Sequence, residues 1–97
     1  MPRRLVYTAQ VRRDVAGIAA YIFQAADAQT AGNVVLRLRQ RCETLINAPG
    51  SGAPYLPKAG VRKVIEGPYK IFYRVTDAHV IILRIWDGRR GTEPGLP

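Results

Sequence analysis

Between Val61 and Arg90 the chain reads VRKVIEGPYKIFYRVTDAHVIILRIWDGRR, and this stretch carries seven of the fifteen Lys and Arg residues. Twelve of the fifteen are Arg. A guanidinium forms planar, paired hydrogen bonds to phosphate or carboxylate, whereas Lys offers a mobile point charge. Arg62, Lys63, Lys70, Arg74, Arg84, Arg89 and Arg90, with Phe72 and Trp86 among them, form a set suited to an anionic polymer. The cations would meet its charges and the rings could stack on its bases. Placed against an RNA phosphate, the same cations could stabilise charge developing during attack by the neighbouring 2′-hydroxyl. That reaction also needs a proton donor or acceptor at the site. The supply is thin, because no Tyr or His follows His79 and the nearby acids are Glu66, Asp87 and Glu93.

Other chemistries fail on the inventory. Ser51, His79 and Cys42 are each the only residue of their kind. A Ser-His-Asp triad would draw its nucleophile from a glycine loop and its base from a hairpin turn. One Cys and one His cannot fill a zinc site, so no metal is expected. Neither a GxxxxGK[ST] loop nor a dinucleotide fingerprint occurs, so no cofactor is expected either. Cys42 falls on an apolar helical stripe and reads as a buried structural thiol.

The elements that position the cations can be read from periodicity. Tyr69, Ile71, Tyr73 and Val75 alternate with Lys70, Phe72, Arg74 and Thr76, which predicts a strand with two different faces. Strands are also expected near Val61–Glu66 and His79–Trp86, and a first one over Arg4–Tyr7. Thr8 stands where a helix N-cap belongs. Val11, Val15, Ile18 and Ile22 then draw one stripe on a helix running to about Gln24, with Arg12, Arg13 and Asp14 off it and solvated. Asp27 caps a second helix whose stripe is Ala31, Val34, Val35, Leu38, Cys42 and Leu45, ending before Pro49. Two helices joined by so short a link form an antiparallel hairpin. Pro49 to Gly60 shows no periodicity and reads as a loop. The order β-α-α-β-β-β implies an α+β fold, the helical hairpin packed on one face of a small, mainly antiparallel sheet. With Tyr69, Ile71, Tyr73 and Val75 toward the helices, Lys70 and Arg74 project from the opposite face, where Arg62, Lys63 and Arg84 could join them.

The totals agree with one domain over residues 1–97, of which about 91–97 form a flexible tail. A net charge of +8 points to an anionic partner, nucleic acid or an acidic protein segment. A single Cys fits a reducing cytoplasm, and no apolar run is long enough for a membrane span.

Four segments together resemble the RelE/ParE superfamily, the toxin halves of bacterial type II toxin–antitoxin modules. They are LVYTAQVRRDVAGIAAYI, ETLINAPGSGAP, GVRKVIEGPYKIFYRV and VIILRIWDGRR. The resemblance runs from Leu5 to Arg90 and implies the same β-α-α-β-β-β sandwich. It implies a cognate antitoxin whose C-terminal segment wraps the toxin, with no small-molecule substrate. GVRKV before the PYKIFYRV strand and the WDGRR ending look more like ParE, whose members poison DNA gyrase. On that resemblance Arg62, Arg74, Arg84, Trp86, Arg89 and Arg90 are the expected target-binding residues. The alternative is RelE-like cleavage of mRNA on the ribosome. There Lys63, Lys70 and Arg90 occupy positions of catalytic basic residues, although the C-terminal Tyr or His of those nucleases is missing.

Overall fold

The computed structural model describes residues 2–96. Strand β1 (Arg4–Tyr7) leads into helix α1 (Ala9–Ala25) through Thr8, whose extended backbone and hydroxyl cap the helix by accepting from the Val11 N–H at 3.1 Å. The same hydroxyl donates to the Ile82 carbonyl at 3.0 Å, so the cap also fixes the helix to the sheet. Asp27 caps helix α2 (Ala28–Asn47) by accepting from Thr30 N–H at 2.7 Å. That hydrogen bond holds its carboxyl below the usual carboxylate range. α2 stops one residue before Ala48-Pro49, where proline pushes the preceding residue out of helical conformation.

Five strands make one sheet in the order β1-β5-β4-β3-β2, with β2 (Ala53–Pro54), β3 (Val61–Glu66), β4 (Tyr69–Val75) and β5 (His79–Asp87). β1 pairs parallel with β5, Arg4 opposite His79 through Tyr7 opposite Ile82, and the remaining pairs are antiparallel. Gly67, at φ +57, begins the two-residue turn between β3 and β4, which needs this left-handed conformation there. Both helices lie on one face. Val11, Leu38, Cys42 and Leu45 pack there on Tyr69, Ile71, Tyr73, Val80, Ile82 and Ile85. The α+β fold and helical hairpin expected from periodicity are therefore present.

Three features depart from expectation. The Pro49–Gly60 loop contains a 3-10 turn (Pro49–Ser51) and the two-residue strand β2, which pairs with Arg62 and Lys63. Tyr73, fully buried, ties this segment down by donating to the Pro49 carbonyl at 2.7 Å and accepting from Gly52 N–H at 3.0 Å. Second, Phe72 pairs with Arg84 while Tyr73 pairs with Ile82, so β5 bulges at Leu83. Third, Asp14 is not solvated: its side chain is 8% exposed and accepts hydrogen bonds from Arg84 and from Ile85 N–H. β1 ends opposite Ile82, and Asp14 takes the backbone donor that β5 would otherwise leave unpaired beyond that point.

Candidate functional site

Residues directly opposite one another in a sheet share a face. Lys63 lies opposite Phe72, Lys70 opposite Trp86, and Arg74 opposite Val61, so these side chains gather on the face away from the helices. Val61, Phe72 and Leu83 form a small buried cluster at its centre, with Tyr55, Ile81, Trp86 and Leu96 packed around it. The cations surround an apolar well rather than a uniformly polar surface.

Each expected residue has a definite place. Lys63 Nζ is 5.9 Å from the ring centre of Tyr55, and that ring meets Phe72 edge-on at 5.0 Å. Lys70 pairs with Glu93 at 3.4 Å. The Arg74 guanidinium lies over Gly60, where a Cβ would come within 2.7 Å of Nη1. The Arg90 guanidinium sits 4.4 Å from the Trp86 ring centre and that of Arg84 at 5.3 Å, both within cation–π range. Thus Lys63, Lys70 and Arg90, the three residues of the nuclease alternative, belong to one surface, linked through Phe72 and Trp86.

Arg62 does not join them. It lies opposite Tyr73, toward the helices, and donates to the Gly52 and Gly50 carbonyls at 3.0 and 3.2 Å, bracing the loop before β2. Arg84 joins the face but its donors are taken: two meet the Asp14 carboxylate at 2.8 and 2.9 Å and a third meets the Gly95 carbonyl at 2.9 Å. Arg89 is exposed and grips Asp87 at 2.9 and 2.8 Å, while Asp87 also accepts from the Arg89 N–H. The Arg89 side chain holds the Asp87 carboxyl below the usual carboxylate range, and Asp87 raises the guanidinium in return.

The segment expected as a flexible tail makes defined contacts. After the 3-10 turn Gly88–Arg90, Gly91 at φ +71 turns the chain back over the open face. Thr92 carbonyl accepts from Trp86 Nε1 at 2.8 Å, Glu93 meets Lys70, Pro94 is buried, and Leu96 packs on the apolar well. Pro97, the last residue of that expected tail, lies outside the described residues, as does Met1.

Two residues that matter here carry little signal in sequence. Tyr55 is the lone aromatic in a Gly/Pro-rich loop, and it is anchored beside β3 where its N–H bonds the Val61 carbonyl at 2.8 Å. Asp14, the lone acid on α1, looks like a solvated surface residue, since its partner lies 70 residues away.

The helical side offers a separate feature. A cleft of about 200 Å³ is lined by Val11, Val15, Val35 and Leu38, with Arg12 and Arg39 adding positive charge. Tyr7 and Cys42 also line it. Burial pushes the Cys42 thiol up to about 12 and the Tyr7 phenol to about 12. The Tyr7 hydroxyl faces that thiol without a hydrogen bond of normal geometry. Tyr21, Phe23 and Leu36 remain exposed on the hairpin. None of the described helices is long and apolar enough to cross a membrane.

A helical hairpin on this sheet is the architecture of chains from two solved toxin–antitoxin assemblies. One is from the chromosomal ParDE system of P. aeruginosa, with a TM-score of 0.76 at 23% identity over 86% of this chain and 92% of that one. The other is from the RelBE2 toxin–antitoxin complex of Mycobacterium tuberculosis, with a TM-score of 0.66 at 23% identity over 88% and 96%. At such identities the likeness shows the fold. No curated protein matches the chain. The family model for the ParE toxin of type II toxin–antitoxin systems, parDE, matches residues 5–91, and the chain belongs to that family.

Proposed function

We propose that this ParE-family toxin acts by poisoning DNA gyrase and is held inactive by a cognate antitoxin. The observation that carries the reading is the family match over residues 5–91 on a chain whose open sheet face is cationic and short of free acid–base groups. Glu93, the acid that reaches that face, is committed to Lys70, and Asp87, opposite Tyr69 on the helical side, is committed to Arg89. Lys63, Lys70, Arg74 and Arg90, with Trp86, are the residues proposed to meet the gyrase–DNA complex, and Arg89, held by Asp87 toward the helical side, flanks them. Arg62 and Arg84, their donors occupied, support that surface from within.

The antitoxin is the natural occupant of the helical side. Its apolar cleft, the exposed Tyr21, Phe23 and Leu36, and the net charge of +8 together suit an acidic amphipathic segment. Acting on these two partners would make it a cytoplasmic protein.

The test is a gyrase supercoiling assay with antitoxin-free, folded protein. Lost supercoiling with trapped cleaved DNA is expected, and reversal of Arg89 and Arg90 to Glu should abolish both. No effect from folded protein would refute the reading. One observation favours a second reading, ribosome-dependent mRNA cleavage: Tyr55 brings a phenol to the face that carries Lys63, Lys70 and Arg90. Codon-phased cuts on stalled ribosomes, lost in Tyr55→Phe, would establish it instead.

A further inference from the structure

The cationic face is already covered, and what covers it is the chain's own segment 92–96. Residues 92–96 lie across it without regular secondary structure, and four of them engage it directly. The Thr92 and Gly95 carbonyls accept from Trp86 Nε1 and Arg84 Nη1, at 2.8 and 2.9 Å. The Glu93 carboxylate neutralises Lys70 at 3.4 Å. Pro94 is buried, and Leu96 packs onto the Val61, Phe72 and Leu83 well. A carboxylate on a lysine beside an apolar anchor stands where a phosphate and a base of a nucleic-acid strand would otherwise sit.

We infer that residues 92–96 are an autoinhibitory strap that screens Lys70 and Trp86 from a phosphodiester chain and must lift before that face can bind one. The hinge is Gly91, whose left-handed φ of +71 turns the chain and whose added Cβ would meet nothing nearby. The strap has no ladder hydrogen bonds, and its one ion pair is half-exposed, with Glu93 at 48%. Such contacts break locally without unfolding the domain. When the competent state is a minor population, apparent affinity falls by its fraction, so a strap closed for about 90–99% of the time weakens binding about ten- to a hundredfold. The inference takes from the proposed function only that this face meets an anionic polymer. Its test contains no gyrase, so the two can fail separately.

Trp86 is the only tryptophan and reports the strap directly. The experiment compares the full chain with a chain ending at Gly91. Acrylamide quenching of Trp86 is measured in each, as is affinity for a short fluorescein-labelled single-stranded DNA at low salt. The shortened chain should quench more readily and bind at least about tenfold more tightly. Full-length Leu96→Glu should behave likewise, and Glu93→Gln should give a smaller gain. If shortening exposes Trp86 but affinity is unchanged or falls, the segment is a structural cover and the inference is overturned. Unchanged quenching overturns it too, as does DNA binding by neither form. Should the shortened chain lose its circular-dichroism signature, Leu96→Glu and Glu93→Gln decide by the same criteria.

Discussion

Replacing Asp14 by Asn should destabilise the protein more than any other single change on the outer turns of α1. The carboxylate accepts two guanidinium bonds at 2.8 and 2.9 Å and the Ile85 N–H at 3.1 Å, with 8% of its side chain exposed and 15% of that of Arg84. Removing one partner of a buried ion pair costs about 3–5 kcal/mol because the other charge is left uncompensated. Arg84 keeps its bond to the Gly95 carbonyl and some water, so the loss for Asn is about 2–3 kcal/mol, at or just below the lower bound of that range. Asp14→Ala also orphans the Ile85 N–H, which adds about 1 kcal/mol or more. For a domain of this size each kcal/mol moves the Tm by about 4–8 °C, so Asn should lower it by about 10–20 °C. Urea unfolding of Asp14→Asn, Arg84→Met and the double variant closes a double-mutant cycle, with a coupling of about 2 kcal/mol expected. An Asn variant within about 0.5 kcal/mol of the parent, at unchanged m-value, would refute the account, since such small changes are typical of unpaired surface sites.

Three further outcomes follow from buried groups. Burial raises the Cys42 thiol from 9.0 to about 12 and the Tyr7 phenol from 10.0 to about 12, so the folded state holds protons that the unfolded state releases. Stability should be full below about pH 9 and fall as pH climbs toward about 12. At pH 8, Cys42 should resist alkylation until urea is added, and rapid labelling of native protein would contradict its burial. Gly52→Ala should be severely destabilising although Gly52 needs no unusual φ. An added Cβ would lie 2.5 Å from the Tyr73 hydroxyl and 2.8 Å from the Lys63 carbonyl, and the backbone oxygen cannot move aside. A calorimetric Tm within a few degrees of the parent would show that the loop shifts to accommodate it.

How far the sequence could be read depended on whether the cause of a feature was local. Thr8 and Asp27 cap helices through partners three residues away, so both helix starts were legible, as was the α2 stripe through Leu38, Cys42 and Leu45. The alternation in β4 also gave its buried face correctly. β3 was harder, because it buries Val61 on one face and Val64 on the other. Its phase therefore cannot be set from apolar residues alone, and Arg62 was grouped with cations from which it points away. Asp14 and the C-terminal segment were missed for a different reason. Gly and Pro mark a chain without regular structure, which differs from a chain without contacts, and Leu96 finds its well only after Val61, Phe72 and Leu83 have come together.

The parallel pairing of β1 with β5 also governs the order in which the molecule can come into being. The first strand waits for a partner that begins at His79, and the Thr8 hydroxyl waits for the Ile82 carbonyl that ties α1 to the sheet. At about 5–20 residues per second of synthesis, that delay lasts about 4–15 s. During it α1 and α2 can form through local contacts, but the face holding Val11, Leu38, Cys42 and Leu45 has no complete sheet to cover it. β5 bonds both to β4 and to β1 and carries Trp86, so its arrival closes the core and assembles the cationic surface in one event. A chain cut short anywhere before His79 would thus be an adhesive hairpin, a substrate for chaperones and proteases rather than a weakened toxin.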